Sequence, residues 1–134
     1  MDLVAHVTGS AKSRERCTVS ERAIGDAVDL LACSGIGPVW GMASADLNAT
    51  LLVWPAGEHI AEHRNVERDV LLVVIEGSMT VIVDEHPREL RATCALLVER
   101  GRRRSVAVGA GGVRYLSIHL RRGPLQIEPR PSSE

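Results

Sequence analysis

The 134-residue chain has no phenylalanine, one tyrosine and two tryptophans, so aromatic stacking cannot build its core and Val, Leu, Ile and Ala must fill it. β-Branched aliphatic filling suits strands. Lysine is nearly absent too: of 16 basic residues only Lys12 is one, and 17 acidic residues bring the formal charge to −1. A balance so close to zero gives no general electrostatic drive toward nucleic acid or an anionic membrane surface. Cys17, Cys33 and Cys94 are odd in number, widely spaced and in no CxxC or CxxH arrangement. This argues against a disulfide framework and a zinc cluster, and points to unbridged, mostly buried thiols. No segment approaches about 18 uncharged apolar residues, and the opening MDLVAHVTGSAKSRERC has no apolar run behind a basic end. The expectation is a cytoplasmic protein without a membrane span.

What is present fits one domain. An apolar fraction of 45% excludes wholesale disorder, and the length suffices for a single core. Residues 1–45 read as an N-terminal segment, 46–122 as the core and 123–134 as a Pro- and Ser-rich tail. Within the first part, SERAIGDAVDLLACSG spaces Ile24, Ala27, Val28 and Leu31 helically, with Ser20 as N-cap and Gly35 as the stop. One short helix over residues 20–33 is expected. After Pro38 the texture changes to short apolar runs between turn residues. Strands are expected at Leu47 to Trp54, Val70 to Ile75, Met79 to Val83, Ala95 to Val98, Ser105 to Val108 and Val113 to Leu120. Gly77 reads as a hairpin turn between VLLVVI and MTVIV, and GAGG at Gly109 to Gly112 as another. Evenly spaced strands with no helical pattern between them favour a barrel or sandwich over βαβ units.

From Leu47 to Leu120 the sequence resembles the cupin superfamily of double-stranded β-helix barrels. Its first motif is matched by Gly57, then His63 after five residues, Asn65 where a second His stands in the family, Asp69 near an acidic position and VVIEG closing at Gly77. Seven residues separate Asp69 from Gly77 where the family usually has six, so Val70 competes for the acidic position. The second motif keeps its length but not its chemistry: TCALLVERGRRRS puts Thr93, Glu99, Gly101 and Arg104 at its Gly, Pro, Gly and His positions. The resemblance implies a mainly β, jelly-roll-like cupin barrel preceded by one short helix.

A complete cupin site resembles three His and one Glu converging on a divalent transition metal. Carried onto this chain, that set reduces to His63 as the one metal-ligand candidate, with Asp69 uncertain and Asn65 a weak donor. Arg104 is the opposite of a ligand, because guanidinium is always protonated and accepts nothing. His63 reads equally as a surface histidine of the polar stretch EHIAEHRNVERD. His59, four residues before it, would lie about 13 Å away on a strand. His119 shares a face with Tyr115 and Ser117 in VRYLSIHL, a face that lines the barrel or meets solvent. Glu67, Arg68 and Asp69 read as a solvated turn or as an inward-facing carboxylate, and RGRRR at Arg100 to Arg104 as a solvated loop rather than a phosphate site.

No nucleophile constellation or phosphate-binding loop is visible. Two functions therefore compete. One is a barrel binding a small molecule, such as a carboxylate, through His63, Asn65, Asp69, Arg104 and His119. The other is a metal-dependent dioxygenase or isomerase. No cofactor is expected, a divalent transition metal being the alternative, and the expected partners are a small-molecule ligand and a second copy in a homodimer.

Overall fold

The computed structural model describes residues 27–121. Seven antiparallel strands run in chain order: β1 (Gly37–Ala43), β2 (Leu47–Trp54), β3 (His59–Arg64), β4 (Val70–Val83), β5 (His86–Arg91), β6 (Ala95–Val98) and β7 (Arg103–Leu120). The first half of the expected helix over residues 20–33 lies outside the described residues, as do the tail and Cys17. Within that span, Ala27 to Cys33 hold one turn, closed by Ala32 N donating to Asp29 O at 2.9 Å.

The architecture follows from β4 and β7, whose 14 and 18 residues exceed what one layer of a small barrel spans. Each serves two layers. The second half of β7 pairs with β2 and with the first half of β4, and β1 and β6 extend this layer on either side. The first half of β7 pairs with β3 and with the second half of β4, which pairs in turn with β5. The result is an antiparallel jelly-roll barrel, as the strand pattern led one to expect.

Gly77 is not a hairpin turn, nor are Gly109 to Gly112; both lie inside continuous strands. The register between β4 and β7 shifts at Val74/Glu76 and again at Gly77/Met79, so these glycines mark bulges where the strands fold from one layer into the other. Gly77 has φ 82° and faces the carbonyl of Gly112, whose carbon would lie 2.9 Å from a Cβ at position 77. Only a residue without Cβ allows that approach. The phase of burial confirms the bulges. Along β4 the buried positions are Val70, Leu72 and Val74 before the corner and Met79 and Val81 after it; along β7 they are Val106 and Val108, then Val113 and Tyr115. An even-numbered face becomes odd-numbered in both strands.

A two-residue β-hairpin connection does form at Asp84-Glu85 between Val83 and His86, with φ 48° and 72°, the double positive φ of a type I′ turn. Strands β1, β3 and β5 carry no clear alternation of apolar residues, and the sequence reading passed over them.

The inner core joins Val70, Leu72, Val74, Met79, Val81, Leu90, Val98, Val106, Val108, Val113 and Tyr115. Full burial of a side chain of this size contributes roughly 1.5–3 kcal/mol. A second cluster, Cys33, Trp40 and Leu51 with Val28, Leu30 and Leu116 against it, covers the outer face of the β1–β2–β7 layer. Arg114 ties that cover down: Nη1 donates to Leu30 O at 2.9 Å and Cys33 O at 2.6 Å, and Nε to Glu76 Oε1 at 3.1 Å. Cys33 is buried and Cys94 half-buried, neither in a disulfide.

Candidate functional site

The sheet register brings two of the sequence candidates together. His63 of β3 and Arg104 of β7 are direct cross-strand partners, and Val83 of β4 pairs with Arg104 on its other side. Residues opposite one another in an antiparallel pair point to the same face. Arg104 has the strand parity of the buried Val106 and Val108, so its side chain belongs to the inner face. It is half-buried and makes no hydrogen bond or ion pair with any described residue. Burial pushes its pKa down from the usual arginine value, and the nearby Tyr115 opposes that shift.

Tyr115 comes from the other half of the same strand. It is 5% exposed, flanked by Leu52 of β2 and Val74 of β4, and its hydroxyl oxygen accepts from Trp54 Nε1 at 3.4 Å. Burial raises the phenol pKa above its usual value, while the Trp54 hydrogen bond and the Arg104 charge pull it back. The sequence left the direction of this face open; the structure turns Tyr115 inward.

The other candidates are placed differently. Asn65 Oδ1 accepts from Glu67 N at 3.1 Å and Arg68 N at 3.2 Å, a side-chain cap on its own turn. Asp69 Oδ1 accepts from Arg100 N at 2.9 Å, and Gly101 N donates to Asn65 O at 2.9 Å. These bonds clasp the β3–β4 loop to the β6–β7 loop. Asp69 is thus engaged with the Arg100 backbone, and Glu67 and Arg68 approach each other at 3.9 Å. His119 shares the inner-face parity of Tyr115, but its cross-strand neighbour is Asn48 and its Nδ1 lies 3.0 Å from Leu120 O. Nothing in the register sets it beside Arg104. His63 is exposed, with Nδ1 3.5 Å from Ala61 O.

The arginine run divides by direction. Arg102 faces outward, its Nη1 2.8 Å from Asp84 Oδ2 and its Nη2 3.6 Å from Glu99 Oε1. Asp84 also accepts from Arg103 N at 2.9 Å. That backbone bond, then the Arg102 side chain, holds the Asp84 carboxyl below its ordinary value. Only Arg104 of the run turns between the layers.

A divalent metal does not fit these residues. The positions that the sequence resemblance aligns with metal ligands hold one imidazole, an amide whose oxygen caps a turn, a carboxylate bonded to a loop amide or a buried valine, and a guanidinium. Among the described residues no three of His, Cys, Asp and Glu are grouped to hold a metal ion. An open cleft of about 440 Å³ lies elsewhere, at the fold-over corner between Pro55, Gly77 and Gly112. Its charged residues Glu76 and Arg114 are bonded to each other. No described helix is long and apolar enough to cross a membrane.

No protein-family model matches the chain, and no curated protein does. Solved structures do. A conserved protein of unknown function from Streptococcus pyogenes superposes with TM-score 0.61 at 13% identity, over 81% of this chain and 96% of that one. A cupin protein from Bacteroides fragilis gives 0.54 at 17%, over 63% and 73%. An RmlC-like cupin from Shewanella frigidimarina gives 0.54 at 18%, over 63% and 72%. At such identities the likeness shows the fold.

Proposed function

We propose that this cupin-fold barrel is a small-molecule binding module whose ligand presents a carboxylate, or an anion of similar shape, to Arg104. One observation carries the reading: a half-buried guanidinium on the inner face of an aliphatic barrel, with no acceptor among the described residues. A cation withdrawn from water without an acceptor is strongly disfavoured, and a carboxylate supplies two parallel acceptors in the geometry of the guanidinium fork. His63, cross-strand neighbour of Arg104, stands at the exposed side as a further donor. Asn65 and Asp69 serve by holding the loops, and His119 as a polar group farther along the inner face. A fixed positive charge at a former ligand position repels a divalent cation, so the dioxygenase or isomerase alternative lacks its donors. A homodimer belongs to the same reading: Leu71 and Leu97, cross-strand partners on the outer face, are 36% and 55% exposed.

A thermal-shift screen of small carboxylates tests the proposal. A specific ligand is expected to raise the melting temperature of the native protein and to leave Arg104→Met unmoved. Equal shifts in both proteins, or none in either, would remove the anion site.

A further inference from the structure

We infer that Tyr115 is the second anchor of this site and that the ligand is a short aliphatic monocarboxylate, its head group shared between the Arg104 guanidinium and the Tyr115 hydroxyl. The inference rests on the anion reading above and adds the inner half of the site and the class of ligand.

The hydroxyl of Tyr115 has one partner, Trp54 Nε1, which donates to its oxygen at 3.4 Å. Indole is a donor only, so the phenol proton points elsewhere and meets no acceptor among the described residues. A buried hydroxyl proton without an acceptor is uncommon in native proteins and calls for an explanation. Arg104 poses the same question: both side chains stand on the inner face of β7, one on each side of its glycine corner, and each acts on the other's ionisation. One anion between them answers both.

The surroundings set the class. Arg88, another arginine of inner-face parity by its pairing with Val81, is exposed on the edge strand β5 with Nη1 donating to Pro87 O at 3.1 Å. Among the described residues Arg104 therefore stands as the single half-buried guanidinium without a bond, and it balances one negative charge. Apart from His63 at the exposed side, the inner-face neighbours are aliphatic: Val83 and Val106 on its own layer, Leu52 and Val74 flanking Tyr115 on the other. A dianion or phosphate leaves uncompensated charge against such walls, and a polyol leaves unpaired hydroxyls. A short alkyl chain with one carboxylate leaves neither.

Calorimetric titration of the whole chain with butyrate, butanol, succinate and inorganic phosphate tests this. Butyrate is expected to bind saturably at one site per chain, with butanol and phosphate silent. Arg104→Met abolishes binding. Tyr115→Phe, which keeps the ring, weakens it roughly tenfold to a hundredfold, as loss of one hydrogen bond to a charged group does. A second readout needs no substitution: butyrate moves the phenolate titration of the single tyrosine to higher pH, because an adjacent anion disfavours the phenolate. Equal butyrate affinity in native protein and Tyr115→Phe, with loss in Arg104→Met, overturns this inference and leaves the anion reading standing. Preference for succinate or phosphate overturns the ligand class. Failure of every anion to bind the native protein overturns the anion reading together with it.

Discussion

Gly77 and Gly57 share a backbone conformation, φ 82° and 79°, but not a neighbourhood. A Cβ at Gly77 would meet the backbone of Gly112 and, at 2.9 Å, Val113 Cα, while a Cβ at Gly57 meets nothing within 4 Å. Alanine at either position pays the left-handed penalty of about 1–2 kcal/mol. It recovers about 0.4–1 kcal/mol from the stiffer unfolded chain. Gly57→Ala is therefore expected to cost about 1 kcal/mol. Gly77→Ala adds the displacement of β7 at the corner, where overpacking contributes about 1–3 kcal/mol more; the atoms met are backbone, which yields little, so the upper end applies. A total near 4 kcal/mol is a large share of the roughly 5–15 kcal/mol that holds a domain together. Urea unfolding of the two variants reads the difference as a displacement of the midpoint at constant slope. Equal losses would show that the corner has slack, and that close approach of β4 and β7 is not what folds one layer onto the other.

Thr93 stands at φ 75°, where a β-branched residue is strained, so Thr93→Gly is expected to raise stability by up to about 1 kcal/mol in the same urea assay. Asp84 is held below its ordinary 3.8 by Arg103 N and then by Arg102. Its contribution is thus present above pH 3.8 and lost as pH falls through the lower folded value, and acid unfolding of Asp84→Asn should lack that component. Tyr115 behaves oppositely. Burial raises it above 10.0, so the neutral phenol stabilises the fold below that pH and the contribution is lost as pH rises through the folded value. Arg104→Met, by removing a cation that favours phenolate, should move the ultraviolet titration of Tyr115 higher still, and an unmoved curve would separate the two groups. Self-association is checked by light scattering: a dimer is expected at micromolar concentration, and a strictly monomeric mass would count against it.

The strands β2 and β6 were legible to the residue, since Leu47 to Trp54 and Ala95 to Val98 are apolar runs bounded by turn residues. The halves of β4 and β7 were legible too, but not their continuity. A bulge that shifts the period-2 pattern by one residue and a hairpin that ends it look alike in sequence, especially when both carry glycine. β1, β3 and β5 were missed because their burial is set by neighbours rather than by alternation; in β3 every residue but Ile60 is exposed. The motif spacing did place His63 and Arg104, and their cross-strand pairing is the physical content of that spacing. Thr93 supplies a second sign: a motif glycine position keeps its left-handed conformation after the glycine is gone. Tyr115 escaped notice because the alternation VRYLSIHL names two faces without naming the one that turns inward. Asn65 and Asp69 were marked for their chemistry, but loop amides claim their oxygens, and no spacing rule foresees that competition.

Both donors proposed to hold the ligand ride on one strand, Arg104 before the glycine corner of β7 and Tyr115 after it. Their separation is set by how sharply that strand is creased, as the gap of a pair of callipers is set at its pivot. Gly111, at that crease, has open space where a side chain would go, so a Cβ added there meets no neighbour. If the ligand is held as proposed, the chain length tolerated by the barrel is a property of the pivot, and selection for longer or shorter guests acts at residues that never meet them.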